Sequence, residues 1–155
     1  MDKKIFQGHI GIGNTLEGIA LVANDNFSAR YDLNRQKGIF SRRSHKLYNQ
    51  SYVNKILVLN VAKGGVATAW MLKSMVDHQM APIGLLLNVA NPIIAQGAAH
   101  ANMVLIDRFK VNITDAINSG DKLKLCPENG ICLLYTSDAA DDSLRVDLAG
   151  RRIIK

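Results

Sequence analysis

A chain of 155 residues with 48% hydrophobic and 21% charged side chains can bury one core, and this composition argues against disorder. Its 19 lysines and arginines against 13 aspartates and glutamates leave a net charge of +6, which suits an anionic small molecule or an acidic protein face. Aromatic residues make up only 6% and are not interleaved with the basic ones, so a stacking surface for nucleic acid is poorly supported and no nucleic-acid partner is expected.

From Met1 through His9 there is no secretory apolar region, and nowhere do the roughly 20 apolar residues needed to span a bilayer occur. No membrane partner is expected, and the location is expected to be cytoplasmic. Gly8, Gly11 and Gly13 lead into a first strand, Gly18 to Ala23. Their spacing is not a dinucleotide fingerprint, so turns or bulges are expected there. Residues 24–52 are polar and basic, carrying Arg30, Arg35, Lys37, Arg42, Arg43 and Lys46. Such a length is unusual for a structureless connection; the segment is expected to lie over another surface or to hold functional groups, against the alternative of a solvated basic loop.

Lys55 to Val61 is a continuous apolar run, as in a strand buried on both faces. Ala62-Lys63-Gly64-Gly65 turns the chain, and Val66 to Met80 reads as a helix with Leu72, Met75, Val76 and Met80 on one face. Ala81-Pro82 stops it, and Ile83 to Val89 forms the next buried strand, completing a βαβ unit. Asn91-Pro92 opens a short helix whose small residues allow close packing, and Met103 to Ile106 returns as a third strand. Thr114 is expected to cap a single turn ended by Gly120. Lys122 to Leu125 alternates as a strand, and Glu128-Asn129-Gly130 reads as a hairpin turn. Cys126 and Cys132 lack a CxxC spacing, so neither a disulfide framework nor a zinc site is indicated.

From Cys132 onward the sequence changes character. Residues 132–155 closely resemble the translation of a transposon-type sequencing adapter, and are read as a non-native tail following a domain of residues 1–131. A genuine helix and strand is the alternative. The tail holds four basic and four acidic residues, so the +6 belongs to the rest.

The chemistry concentrates at the glycine turn. Between a buried strand and a helix, Gly64 and Gly65 would let a carboxylate or phosphate approach the backbone N–H groups at the helix N-terminus, and Lys63 adds a full charge. A tight turn without ligand is the alternative, and the P-loop spacing is absent. His45 lies among Arg42, Arg43 and Lys46, which disfavour its cationic form. It is open to a role as neutral base or donor, although a solvent-exposed position is expected. No Ser-His-Asp order, HExxH helix or paired carboxylates stand out, so the chain is underequipped to act as an enzyme alone.

The order of these pieces resembles the swivel domain of the aconitase X family, which forms the small subunit in its two-chain members. The family's opening glycine and strand are similar to Thr15 through Val22, and its H-x-L-x-x-x-S pattern to His45 through Ser51. Its strand and glycine turn match Lys55 to Gly65. Ala81-Pro82, Leu85 to Asn88, Ala95 to Ala98 and Gly120 to Leu125 follow in order. The resemblance covers about residues 5–131. It implies an α/β fold: a swivelling β/β/α domain with a βαβ core and additional strands.

It further implies a large catalytic subunit that holds the iron or iron–sulfur centre, with no cofactor bound by this chain, and dehydration of a hydroxy acid or phosphorylated hydroxy acid. In this reading Lys63, Gly64, Gly65 and His45 bind an anionic substrate in a shared cleft. Well-matched members place a catalytic serine in the turn where this chain has Gly65; Thr68 is the nearest hydroxyl. The other reading is a non-catalytic ligand-binding or interaction module of the same fold.

Overall fold

The computed structural model of the chain describes residues 2–28, 32–63 and 66–136. In chain order its strands are β1 (Asp2–Gln7), β2 (Leu16–Val22), β3 (Leu33–Asn34), β4 (Ile39–Phe40), β5 (Ile56–Val61), β6 (Gly84–Val89), β7 (Val104–Asp107), β8 (Lys122–Cys126) and β9 (Ile131–Thr136). Three helices join them: α1 (Val66–Asp77), α2 (Pro92–His100) and the single turn α3 (Ile113–Ala116).

The apolar runs become the parallel strands that they promise. In β5 and β6 four consecutive residues are buried, and Leu57 lies opposite Leu85 and Leu59 opposite Leu87. Strand β7 continues the parallel set beyond β6. The remaining strands are antiparallel: β2 pairs with β8, β8 with β9, and β9 with β1. Strand β2 serves both sets. Its residues Leu16 to Ile19 pair with β8, and Ala20 to Val22 run parallel to β5.

Because side chains alternate across a strand, β5 and β6 bury residues in two directions. Leu57, Leu59, Leu85 and Leu87 face a core shared with Leu72 and Met75 of α1 and Ile94 and Ala98 of α2. Ile56, Val58 and Leu86 face a second core with Leu123, Leu125, Cys132 and Leu134 from β8 and β9, and Ile113 of α3. The result is three layers, β/β/α, as the resemblance implies.

Helix α1 carries the expected buried face but ends at Asp77, before the Ala81-Pro82 stop. Gln79 takes φ 59° and the Met80 N–H reaches back to the Met75 carbonyl at 2.9 Å, so a left-handed cap closes the helix. Helix α2 starts as its sequence indicates. Asn91 caps it, its Oδ1 accepting from the Ile94 N–H at 2.8 Å, and Pro92 occupies the first turn where an N–H is dispensable. Replacing Asn91 by Ala is expected to cost about 1 kcal/mol in urea unfolding. Helix α3 is capped by Asn112, not by Thr114 as expected. The Asn112 Oδ1 accepts from the Thr114 N–H and, at 2.6 Å, from the Thr114 hydroxyl.

The basic segment lies over another surface, as expected, and at the chain's far end the sheet continues into the segment read as a tail. Among the described residues of 24–52 the only strands are the short pair β3–β4, yet these residues do not form a solvated loop. Phe27, Leu33, Phe40, Leu47 and Tyr52 are buried in the helix-side core, while Arg35, Lys37, Arg43 and Lys46 stay exposed. Arg30 lies outside the described residues. At the far end, β9 runs on to Thr136, opposite Asp2 of β1, with Cys132 and Leu134 buried. The ordered sheet therefore extends past residue 131; residues 137–155 lie outside the described residues. Burial, and beyond it the neighbouring Cys126, pushes the Cys132 thiol up to about 12.

Candidate functional site

The parallel strands β5, β6 and β7 all end at one edge, the usual ligand side of such a sheet. Each apolar run closes on a polar residue there: Asn60, Asn88 and Asp107. The Asn88 side-chain amide donates to Asn60 Oδ1 at 3.1 Å and to Asn112 Oδ1 at 2.8 Å, while its own Oδ1 accepts from the Ile113 N–H at 2.8 Å. Asp107 Oδ2 accepts from the Ala90 N–H at 3.1 Å. These bonds lock strand ends and helix starts together. The sequence reading missed them, although a polar residue closing each successive apolar run was a visible signal.

Lys63 stands just beyond β5 on this edge, exposed, and its backbone is held from two sides. Its N–H donates to the Phe27 carbonyl at 2.7 Å, and the Phe27 N–H donates to the Val61 carbonyl at 2.9 Å. From the other side, the Ala62 N–H reaches the Val89 carbonyl at 3.3 Å, and the Asn91 amide reaches the Ala62 carbonyl at 3.4 Å. Among the described residues no carboxylate pairs with the Lys63 ammonium. Gly64 and Gly65 lie outside the described residues. Thr68 belongs to the first turn of α1, and its side chain is likewise outside the description.

His45 departs from expectation: it is buried, at 3% exposure. Its Nδ1 accepts from the Leu47 N–H at 3.1 Å and its Nε2 lies 2.8 Å from the Asn26 carbonyl. Those partners assign the proton to Nε2 and leave neither nitrogen over for a ligand. The ring stacks on Phe40 with centroids 4.6 Å apart. His45 thus reaches Lys63 indirectly, through the strip Asp25 to Phe27.

Carboxylates border the same strip. Asp32, buried, accepts from the Ser28 N–H at 2.9 Å and pairs with the Arg42 guanidinium. Asp25 Oδ1 accepts from the Asn26 N–H at 2.8 Å, and its Oδ2 from the Lys46 N–H at 3.1 Å. Burial works to raise the Asp25 pKa, but those two backbone bonds, with Arg42 nearby, outweigh it and hold the carboxyl below the usual 3.8. A depressed pKa adds stability that is present above the unfolded value and lost as pH falls through the folded one. Asp25→Asn is therefore expected to lose about 1 kcal/mol at neutral pH. The gap to the unsubstituted chain should narrow as urea titrations are taken below pH 4.

The remaining histidines stay apart from this edge's bonds: His9 is exposed in the loop after β1, and His78 and His100 lie at the ends of α1 and α2. Among the described residues, no group of three His, Cys, Asp or Glu side chains is arranged to hold a metal ion. No helix among them is long and apolar enough to cross a membrane. Chemically, the edge offers amide donors and acceptors, the exposed cation Lys63 and the starts of the helices that follow β5, β6 and β7.

Comparison with known proteins yields one family. The model of the aconitase X swivel domain matches residues 5–134. The phosphomevalonate dehydratase small subunit of Methanocella arvoryzae is 26% identical over 125 residues, covering 81% of this chain and 95% of its own length. Its counterpart in Methanopyrus kandleri is 25% identical over 118 residues, or 76% of this chain and 87% of its own. In structure, aconitase X of Thermococcus kodakaraensis superposes with a TM-score of 0.80 at 21% identity, over 86% of this chain and 99% of that one.

Proposed function

The chain belongs to the aconitase X swivel domain family, and on that premise we propose that it is the small subunit of a hydro-lyase, inactive without a larger partner. The observation that carries the proposal is the match to curated dehydratase small subunits over nearly their whole length. The substrate class is a hydroxy acid or a phosphorylated hydroxy acid, in keeping with those names and with the surplus of positive charge.

In this proposal the edge bearing Lys63 forms one wall of a cleft completed by the large subunit. Lys63 and the N–H groups of Gly64 and Gly65 hold a substrate carboxylate or phosphate, which orients the reacting carbon. His45 acts at a distance. By fixing Asn26 it fixes the strip that carries Phe27, and with it the position of Lys63. The iron or iron–sulfur centre belongs to the large subunit, where it would assist departure of the hydroxide.

Dehydration also needs a proton acceptor for the carbon that loses its hydrogen, so that the electron pair left behind can form the double bond as hydroxide leaves. Gly65, where the family resemblance puts a serine, has no side chain to take that proton. Thr68 is the nearest hydroxyl and is the residue proposed for that role.

Co-expression with the large subunit should give a stable complex that dehydrates phosphomevalonate or another hydroxy acid, while neither chain turns over alone. Thr68→Ala should then abolish turnover, and Thr68→Ser should retain it. A large subunit fully active by itself overturns the cleft role. The glycine at position 65 favours a second reading in that event, a binding module of the same fold that has lost catalysis.

A further inference from the structure

The chain's one tryptophan, Trp70, is 62% exposed on α1, an unusual position for its largest apolar side chain. It borders a groove of about 200 Å³ between α1 and α2, lined by Ala69, Trp70, Ile93, Gln96, Gly97 and His100. The His100 ring meets the indole edge-on, with centroids 5.5 Å apart. Eight large hydrophobic residues are exposed among those described. Five of them, Ile10, Trp70, Val89, Ile93 and Val111, lie at the edge where β6 and β7 end or on the helices that start beside it. Scattered apolar residues need no explanation, but apolar residues gathered at one edge mark a surface that is covered.

We infer that the α1–α2 groove, with Trp70 as its anchor, is a docking surface for the large subunit. This rests on the reading of the chain as a small subunit and names where the partner sits. Two observations choose that occupant. The groove adjoins the proposed cleft: Ile93, which lines it, is two residues from Asn91, whose side-chain amide reaches the carbonyl of Ala62 beside Lys63. The small-subunit relatives are matched over 95% and 87% of their own lengths, which leaves them little further chain with which to fill such a groove themselves. The covering surface comes from another protein. Its chemistry follows from the groove: an aliphatic side chain to lie between Ile93 and Trp70, and an oxygen acceptor for the indole N–H.

A chain labelled with 5-fluorotryptophan gives a single fluorine resonance, because there is one tryptophan. Adding unlabelled large subunit should shift that resonance and remove its sensitivity to a soluble paramagnetic quencher. Trp70→Ala should weaken the complex at least tenfold. An active complex in which the fluorine signal stays solvent-accessible overturns the docking surface while leaving the subunit reading intact. Failure of the unsubstituted chains to associate overturns both. Protection that grows with the concentration of this chain alone assigns the groove to a second copy and overturns the inference. So does protection in the isolated chain that disappears on truncation after Thr136, which would assign the groove to residues 137–155.

Discussion

Replacing Gly97 by Leu should lower the stability of the chain by about 3 kcal/mol, the upper end of what overpacking costs. A Cβ at position 97 would lie 2.7 Å from both Cα and Cβ of Ala69 and 3.0 Å from its carbonyl oxygen. Most of those atoms are backbone, so no side-chain rotation relieves the contact; α2 would have to move away from α1. Leu72 and Met75 on one helix, and Ile94 and Ala98 on the other, would then lose contact with the sheet. Gln96, exposed on the same helix, provides the control. Gln96→Leu should stay within about 0.5 kcal/mol of the unsubstituted chain. Urea unfolding with an unchanged slope would report the difference. A Gly97→Leu chain of ordinary stability would mean that the helices do not cross this closely.

Reversing the charge at Lys63 is expected to lower kcat/KM of the reconstituted complex about a hundredfold, equivalent to about 2.7 kcal/mol. The loss combines a missing charge-assisted hydrogen bond with repulsion of the substrate anion. Because the Lys63 side chain is exposed and its fold contacts are backbone bonds, Lys63→Glu should leave folding and complex formation unchanged. Lys63→Arg should keep most of the activity. An unchanged kcat/KM for the reversed charge would remove Lys63 from the substrate's surroundings.

The parallel strands and α2 were legible because their signals are local. An apolar run such as Leu85-Leu86-Leu87, or Asn91-Pro92 ahead of small residues, dictates its element whatever surrounds it. For the basic segment, its length showed that it must cover something, but not how it is anchored. Its anchors, Phe27, Leu33, Phe40, Leu47 and Tyr52, come five to seven residues apart with no helical or strand period, so only the packed core makes their common purpose visible. His45 failed for a related reason. Its burial depends on Asn26 and Phe40, set by a loop path that charge patterning cannot foretell.

At the site, the place of Lys63 just past the apolar run that becomes β5 was legible. Of the Asn88 hub only the polar residues closing the apolar runs were visible, not their bonding, since Asn60 and Asn112 are 28 and 24 residues away. Strand β9 was obscured by composition. The alternation of Cys132 and Leu134 toward the core becomes apparent only once β8 and β1 lie on either side of it.

The double allegiance of β2 has a consequence for how the molecule is made. The strand is made well ahead of its partners: parallel β5 begins 40 residues after Leu16, and antiparallel β8 begins 106 residues after it. Strand β1 waits longer still, since Asp2 pairs with Thr136. A nascent chain halted after β7 could assemble the layer of helices but would have Ile56, Val58 and Leu86 uncovered, with no β8 or β9 to shield them. The second core cannot form until β8 and β9 have been made. Such long-range closure is slow, and until it occurs the growing chain presents a bare apolar face to chaperones.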